Sequence, residues 1–225
     1  MEAHARNQGS LDEARRWRRK PEARTEEVLE AALDLFIVKG FASTRMEDIA
    51  TAAGLSKAAI YLYFSSKDAV FIALVRTRLV PIRSRFLEAA MSGGGDPVAG
   101  LKAVALAWTS VMSDQRLAAL PLIVMGEAAR FPEVVRYYHE EVTERVLSII
   151  GDLYQRGVET GQFRAIDPRS AARALIAPLV LDVWRRQAFA GLEPAPKPSE
   201  MVAEEVFDVF FKGAAARPQL VENQL

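Results

Sequence analysis

Apolar residues recur at helical spacing along almost the whole chain after residue 24, and this period limits the possible folds more than any other feature. In the stretch RTEEVLEAALDLFIVKG they fall at i, i+3, i+4, i+7 and i+8, namely at Val28, Ala31, Ala32, Leu35 and Phe36. Thr25 is the expected N-cap of this helix, and Gly40 is its expected end. No segment has the alternation of a convincing strand. The sequence therefore predicts an all-α fold, with about three short helices followed by about six longer ones.

Boundary residues delimit the short helices near the N-terminus. Thr44 and Glu47 form the T-x-x-E pattern of a capping box at the start of the second helix. Gly54 is expected to end that helix, because glycine readily adopts the left-handed backbone of a helix C-terminus. Ser56 then caps a third helix that begins at Lys57, although its last part, IYLYF, resembles a strand in composition. We expect three apolar side chains of this segment in the core: Ile60, Leu62 and Phe64.

The longer helices follow at proline, glycine and aspartate boundaries. A fourth helix starts at Lys67, and Asp96–Pro97 supplies the N-cap and first residue of another. A long amphipathic helix begins at Pro132. The last two long helices span roughly 168–190 and 199–213, and the stiff segment LEPAPKP links them.

Composition argues against several kinds of site. The 225 residues include no cysteine and only two histidines, His4 and His139, which lie far apart in the sequence. Neither a disulfide framework nor a metal centre is expected, and no cofactor is predicted. Acidic and basic residues number 29 each, so binding to nucleic acid would need a local basic surface. The sequence has no secretory signal and no apolar run of membrane-spanning length, so we expect a cytoplasmic protein without a membrane segment.

The segment MEDIATAAGLSKAAIYLYFS has the features of a helix-turn-helix. Ala50 is the small residue at the place where the second helix crosses the first, and Gly54 lies in the turn. The flanking apolar positions are Ile49, Leu55 and Ile60. These residues occur in register, with a capping residue before each helix, so the segment is predicted to be a DNA-binding unit.

With its neighbours, this segment resembles the DNA-binding domain of the TetR (tetracycline repressor) family of transcriptional regulators. The stretch GFASTRMEDIATAAGLSKAAIYLYFSSKDAVF follows the family pattern G-F-x-x-T-x-x-x-I-A-x-x-A-G-[VL]-S-x-x-x-[LIV]-Y-x-[YH]-F-x-[SN]-K. The resemblance covers residues 25–72, and the rest agrees only in being helical and of suitable length. It implies four segments: a basic N-terminal arm (1–22), a helix-turn-helix domain (23–68), a helical effector-binding and dimerisation domain (69–215) and a C-terminal tail (216–225).

In a helix-turn-helix, the N-terminal residues of the second helix face base edges in the major groove. Ser56 and Lys57 occupy that position, and the Lys57 ammonium can donate to guanine O6 and N7. Ala58 and Ala59 follow on the groove side, where their methyl groups can contact a thymine methyl. Because alanine offers no side-chain donor, we expect modest direct readout and more reliance on DNA shape.

Other residues are expected to contact the DNA backbone. The resemblance places Tyr61 and Tyr63 near the sugar-phosphate backbone, where a phenol can donate to a phosphate oxygen. Lys67 begins the fourth helix, whose N-terminal N–H groups would bind a phosphate together with the ammonium. Thr44, at the start of the second helix, is expected to hold a phosphate on the other strand, and Arg45 beside it is a further candidate for DNA binding. The arm carries five basic residues that either bind DNA or form a solvated tail: Arg15, Arg16, Arg18, Arg19 and Lys20.

An effector pocket is expected among the middle helices, which are rich in aromatic residues and methionine. The candidate lining residues are Trp108, Met112, Met125, Glu127, Tyr138 and Trp184. Glu127 stands in a largely apolar segment and would need a partner if buried, either Arg130 or a cationic ligand. The composition favours an apolar or amphipathic effector.

A homodimer is expected through the last two long helices, which can form a four-helix interface with a second copy. Alternatively, the segment VFDVFF of the last helix packs inside its own subunit. The function that fits these features is a ligand-responsive repressor released from a palindromic DNA operator by a small effector. An all-α enzyme and a helical adaptor are the alternatives. The glycine-rich segment SGGGDP does not support an enzyme, because it lacks the Gly-Lys-Ser/Thr end of a phosphate-binding loop.

Overall fold

The computed structural model describes residues 23–192 and 197–215, and every regular element in these ranges is a helix. Phe163 and Ala215 form an isolated β-bridge, but no strand occurs in this part of the chain. The predicted all-α fold is thus confirmed. The predicted basic arm, part of the linker and the C-terminal tail lie outside the described residues. No helix in the described ranges has the length and apolar character needed to cross a bilayer.

Eleven α-helices are described in these ranges, the first of them spanning residues 23–39 (α1). The others are α2 (Met46–Ala52), α3 (Lys57–Ile60), α4 (Lys67–Leu74), α5 (Ile82–Ser92), α6 (Pro97–Met112), α7 (Gln115–Gly126), α8 (Pro132–Tyr138), α9 (Glu144–Glu159), α10 (Pro168–Ala188) and α11 (Ser199–Ala214). Two π-helical segments, Val75–Leu79 and His139–Thr143, follow α4 and α8 respectively.

Most of the predicted helix boundaries are found in the structure. Gly40 and Gly54 have positive φ angles of 79° and 66°, as expected for glycines that end α1 and α2. The Ser56 hydroxyl accepts the Ala59 N–H at 3.2 Å at the start of α3. The Asp96 carboxylate caps α6 by accepting the N–H groups of its first turn. Local side-chain chemistry therefore sets these boundaries.

Two threonines do not act as the predicted caps. The chain is already helical at residue 23, so Thr25 lies within α1. At α2, the N-cap is Arg45, whose N–H donates to the Asp48 carboxylate at 3.1 Å. The buried Thr44 hydroxyl instead donates to the Gly40 carbonyl at 2.8 Å. The predicted capping box of Thr44 and Glu47 is therefore wrong, because the Thr44 side chain closes the preceding turn.

A small N-terminal unit packs α1 to α4 around three phenylalanine rings. The centroids of Phe36, Phe41 and Phe71 lie 4.9 to 5.6 Å apart. Ile60 and Phe64 are buried, as predicted. Leu62, by contrast, is 85% exposed, because the backbone leaves regular α-helix after Ile60 and directs this side chain outward.

The larger unit is built around α6, which packs against α5, α9, α10 and α11. Gly157 of α9 lies against the buried Phe163 ring. That ring stacks on Tyr154 at a centroid distance of 4.9 Å and also contacts Phe211 of α11. The absence of a side chain at Gly157 therefore allows α9, the following turn and α11 to pack closely.

Replacing Gly157 with alanine should destabilise the protein. A Cβ atom at this position would lie 2.1 Å from the Phe163 ring, which its neighbours hold in place. We expect Gly157→Ala to lower the free energy of unfolding by about 2 kcal/mol, the usual cost of overpacking. Urea unfolding followed by circular dichroism would measure it. Gly126→Ala is the matched control, since a Cβ there meets no atom within 4 Å; equal losses in both variants would contradict the prediction.

Candidate DNA-binding surface and effector cavity

The start of α3 forms an exposed surface on the N-terminal unit. Ser56, Lys57 and Ala58 are exposed, and Ala59 is half-buried. The turn before them is held by the Leu55 N–H, which donates to the Ala50 carbonyl at 2.8 Å. The four residues predicted to face DNA bases are therefore adjacent to one another and accessible.

Lys57 forms an ion pair with Glu47 of α2, a partner that its sequence position did not indicate. The Lys57 Nζ lies 2.7 Å from Glu47 Oε1. The hydrogen bond from Lys57 lowers the pKa of Glu47, and the same bond raises the pKa of Lys57. Both side chains face solvent, where such a pair contributes little to stability. A stronger acceptor can therefore displace Glu47.

Lys67 donates hydrogen bonds to the protein's own backbone, whereas the sequence predicted that it would bind a phosphate. Its Nζ donates to the carbonyls of Phe41, Ala42 and Thr44 at 2.6, 3.1 and 2.9 Å. It also lies 4.5 Å from the centroid of the Phe41 ring. Burial lowers the pKa of Lys67. An ammonium has three N–H donors, and all three are engaged here, so none remains for a phosphate.

Thr44 also differs from its expected role. Its only side-chain donor is engaged with Gly40, and a phosphate oxygen can only accept. Arg45 and Tyr61 are exposed near α3, as contacts with the DNA backbone require. Tyr63 is half-buried and packs against the core. The exposed part of the predicted surface thus consists of Arg45, Tyr61 and the first residues of α3, whereas Tyr63 is only partly accessible.

A cavity of about 240 Å³ lies within the larger unit, between α6, α7, α8 and α10. Five of the six predicted pocket residues line it: Trp108, Met112, Met125, Tyr138 and Trp184. Eight further residues complete the wall: Ala118, Pro121, Val142, Thr143, Val146, Ile176, Val180 and Val183. These are small, aliphatic or weakly polar, and nothing in their sequence pattern distinguishes them from ordinary core residues.

The cavity wall contains few polar groups. The Tyr138 phenol hydrogen-bonds to Thr143, and burial raises its pKa to about 12, so it is neutral at physiological pH. The Trp108 Nε1 is shielded from solvent and has no acceptor among the described residues. The cavity can therefore hold an apolar molecule, and it offers very few hydrogen bonds.

Glu127, the sixth predicted pocket residue, does not line this cavity. Its Oε1 instead accepts the Ala42 N–H at 3.2 Å, across the junction between the larger unit and the N-terminal unit. Four residues further on, Phe131 packs edge-to-face against Phe41 at a centroid distance of 4.6 Å. The chain that follows α7 therefore contacts the same turn, 41–44, that Lys67 holds.

The other end of α7 is tied to α1 by ion pairs. Arg116 binds Glu30 at 2.7 Å and Asp34 at 2.6 Å. Arg78 of the first π-helical segment also binds Glu30, at 2.6 Å, and contacts Glu26. Burial alone would raise the pKa of Glu30, but the hydrogen bonds from Arg78 and Arg116 outweigh it and lower that pKa. Both ends of α7, a helix of the cavity wall, thus reach the N-terminal unit.

An apolar cleft lies between α10 and α11. Its wall includes Ala174, Pro178, Val206, Val209 and Phe210. Val209 is 73% exposed, whereas Phe207 of the same helix is buried. The segment VFDVFF therefore contributes to its own subunit and, through Val209, to an exposed apolar surface.

Two family profiles match the chain. The profile described as bacterial regulatory proteins, tetR family, matches residues 28–74. The profile described as AefR-like transcriptional repressor, C-terminal domain, matches residues 99–213, more than half of the chain. Together they include α2 and α3, the cavity and most of the α10–α11 cleft.

Relatives of known sequence and structure are regulators as well. RutR, an HTH-type transcriptional regulator of Escherichia coli, is 42% identical over 69 residues, or 31% of this chain and 32% of RutR. The chain thus matches about a third of the length of that relative. A TetR-family regulator from Mesorhizobium loti has a TM-score of 0.70 at 26% identity, covering 87% of this chain and 98% of that one. The flavonoid-responsive regulator FrrA has a TM-score of 0.62 at 25% identity, covering 88% and 100%.

The internal role of Lys67 leads to a prediction about stability. Lys67→Met keeps most of the apolar stem but leaves three carbonyls without their donor, so we expect a loss of about 3 kcal/mol in the free energy of unfolding. Thermal and urea unfolding would measure it. Lys102→Met is the control, because Lys102 is exposed and lies 3.7 Å from its partner Glu204. If Lys67→Met left the stability unchanged and lowered the salt slope of DNA binding by about one, Lys67 would contact a phosphate after all, and this prediction would be wrong.

Proposed function

The chain belongs to the TetR family of bacterial regulatory proteins, and from this membership we propose that it is a homodimeric, ligand-responsive repressor. In this proposal the protein binds a palindromic operator in double-stranded DNA and leaves it when a small apolar effector binds. The matched profiles and relatives are transcriptional regulators, so neither an enzyme nor an adaptor is favoured. We assign DNA binding to residues 23–68, and effector binding and dimerisation to residues 69–215.

The observation that carries the proposal is the exposed start of α3, which is held by Ser56 and by the Ala50–Leu55 hydrogen bond. In the major groove, Lys57 would exchange Glu47 for guanine O6 or N7, and the cost is small because the existing pair is exposed. Ala58 and Ala59 would let the helix approach the base edges closely. Phosphate contacts are assigned to Arg45, Tyr61 and Tyr63.

The effector would occupy the cavity between α6 and α10. Its aromatic and thioether wall suits an apolar molecule, and FrrA, a structural relative, is named as flavonoid-responsive. An effector releases the operator only if it binds more tightly to the geometry that fits DNA poorly.

Helix α7 is the proposed link between the effector and DNA. Ala118, Pro121 and Met125 of α7 line the cavity, while Arg116 and Glu127 reach the N-terminal unit. A shift of α7 that makes room for an effector would pull on α1 and on the turn before α2. The two DNA-binding units of a dimer would then change their separation, and the half-sites would no longer match.

Dimerisation is assigned to α10 and α11. The apolar cleft and the exposed Val209 support this assignment, because a second copy could cover them in a four-helix interface. A stable interface of this kind buries about 800 Å² on each partner.

Mobility shifts of the purified protein on its own upstream DNA, at several salt concentrations, test the proposed function. Lys57→Ala should relax the preference at one or two base pairs, since it removes a base contact. Arg45→Ala should instead weaken binding to all sequences and lower the salt slope by about one. Lys102→Ala, on α6, is the control. If wild-type protein formed no sequence-selective complex at any salt, the proposed function would be wrong.

Sedimentation velocity tests the dimer interface. Val209→Arg places a charge on the proposed interface, so we expect dimer affinity to fall at least tenfold, with a matching loss of operator binding. Because Val209 is exposed in the subunit, its fold should survive. Met91→Arg is the matched control, since Met91 is 71% exposed on α5, outside the cleft. Dimers of unchanged stability in Val209→Arg would assign the interface elsewhere.

A further inference from the structure

The indole N–H of Trp108 is unusual because it is buried without a hydrogen-bond acceptor among the described residues. An indole N–H can only donate. Native proteins leave few buried donors unsatisfied, because the group loses its water and gains nothing in return. Trp108 is also held in place, since its ring stacks near Phe86 at 5.9 Å with an interplanar angle of 15°. Trp108 is one of the residues that line the cavity, and its Nε1 is covered in this structure.

The charge of the cavity wall limits what can bind there. Among the described residues that line it, none has an acidic or basic side chain. An ionised ligand would lose its hydration without gaining an opposite charge, which is strongly unfavourable. The neutral Tyr138 phenol provides no charge either. The cavity thus selects for uncharged molecules.

We propose that the effector is a neutral, mostly apolar molecule with one hydrogen-bond acceptor, and that Trp108 Nε1 donates to this acceptor. The proposal rests on the function proposed above and specifies its effector. At about 240 Å³ the cavity is smaller than the usual site for a drug-sized ligand, which suits a compact ring system with a carbonyl or ether oxygen.

The same hydrogen bond would make the effector a regulator. Because Nε1 is shielded in this structure, an acceptor reaches it only after the cavity wall shifts. The bond therefore forms in the effector-bound geometry and not in the present one. This difference in affinity between the two geometries is what an effector needs to change the population of the DNA-binding form.

Calorimetric titration of the full-length protein with three probes of similar shape tests the proposal. Acetophenone carries a carbonyl acceptor, α-methylstyrene has CH2 in place of that oxygen, and benzoate carries a charge. We expect acetophenone to bind about tenfold more tightly than α-methylstyrene, the ratio that one hydrogen bond supplies. Benzoate should bind at least tenfold more weakly than acetophenone. Benzoate as the tightest ligand, or no binding of acetophenone, would overturn the proposal.

Two variants identify the donor. Trp108→Phe removes the N–H but keeps an aromatic ring, so the preference for acetophenone should fall to less than twofold. Trp184→Phe, at another tryptophan of the same cavity, should keep the tenfold preference. A preference retained in Trp108→Phe would contradict the assignment of the donor.

A measurement on the wild-type protein avoids any effect of substitution on folding. The chain has three tryptophans, so ¹⁵N-labelled protein gives at most three indole N–H signals. Acetophenone should move the Trp108 signal to the position of a hydrogen-bonded indole, whereas α-methylstyrene should not. An unmoved signal at saturation would overturn the proposal. If the protein still bound its operator in mobility shifts, only the proposed effector class would be lost; acetophenone binding without operator binding would instead contradict the proposed function.

Discussion

Three backbone carbonyls of the turn 41–44 converge on the ammonium of Lys67, and the internal packing of the N-terminal unit depends on this contact. It joins the start of α4 to the turn that leads into α2, at distances of 2.6 to 3.1 Å. The Phe41 ring lies beside the same ammonium and packs on Phe36 and Phe71. One partly desolvated cation therefore holds α4 against the turn that leads into the helix-turn-helix, and its burial strengthens each of these hydrogen bonds.

The larger unit contacts the same turn from the other side. Glu127 accepts the Ala42 N–H, and Phe131 packs against Phe41. Since α7 also lines the cavity, a short chain of packed groups connects the cavity to the turn before α2. Such a connection can transmit a change at the cavity only if it has two arrangements that the effector distinguishes. In the proposed effector site, the effector would distinguish the two arrangements because the shielded Trp108 N–H could donate to it in only one of them.

Much of the fold was predictable because its signals are local. Four predicted boundary residues act where the sequence indicates: Gly40, Gly54, Ser56 and Asp96. Each of them ends a helix or caps the N–H groups of a first turn, using only residues close to it in the chain. The predictions for Thr44 and Leu62 were wrong because the local backbone departs from the helical pattern on which they were based. Thr44 closes the turn that Lys67 holds, and Leu62 follows an early loss of regular helix. For the cavity, large aromatic and sulfur side chains pointed to five lining residues, whereas its aliphatic residues resemble any core position.

The helices, the helix-turn-helix and the family resemblance could be predicted from the sequence, because helical period, capping and glycine turns depend on neighbours along the chain. The partners of the long polar side chains, by contrast, depend on how the helices pack. Lys67 finds carbonyls more than twenty residues away, Glu127 finds an N–H eighty-five residues away, and Lys57 finds Glu47 on another helix. A flexible charged side chain can reach many partners, and only the packed chain establishes which of them lies within hydrogen-bonding distance.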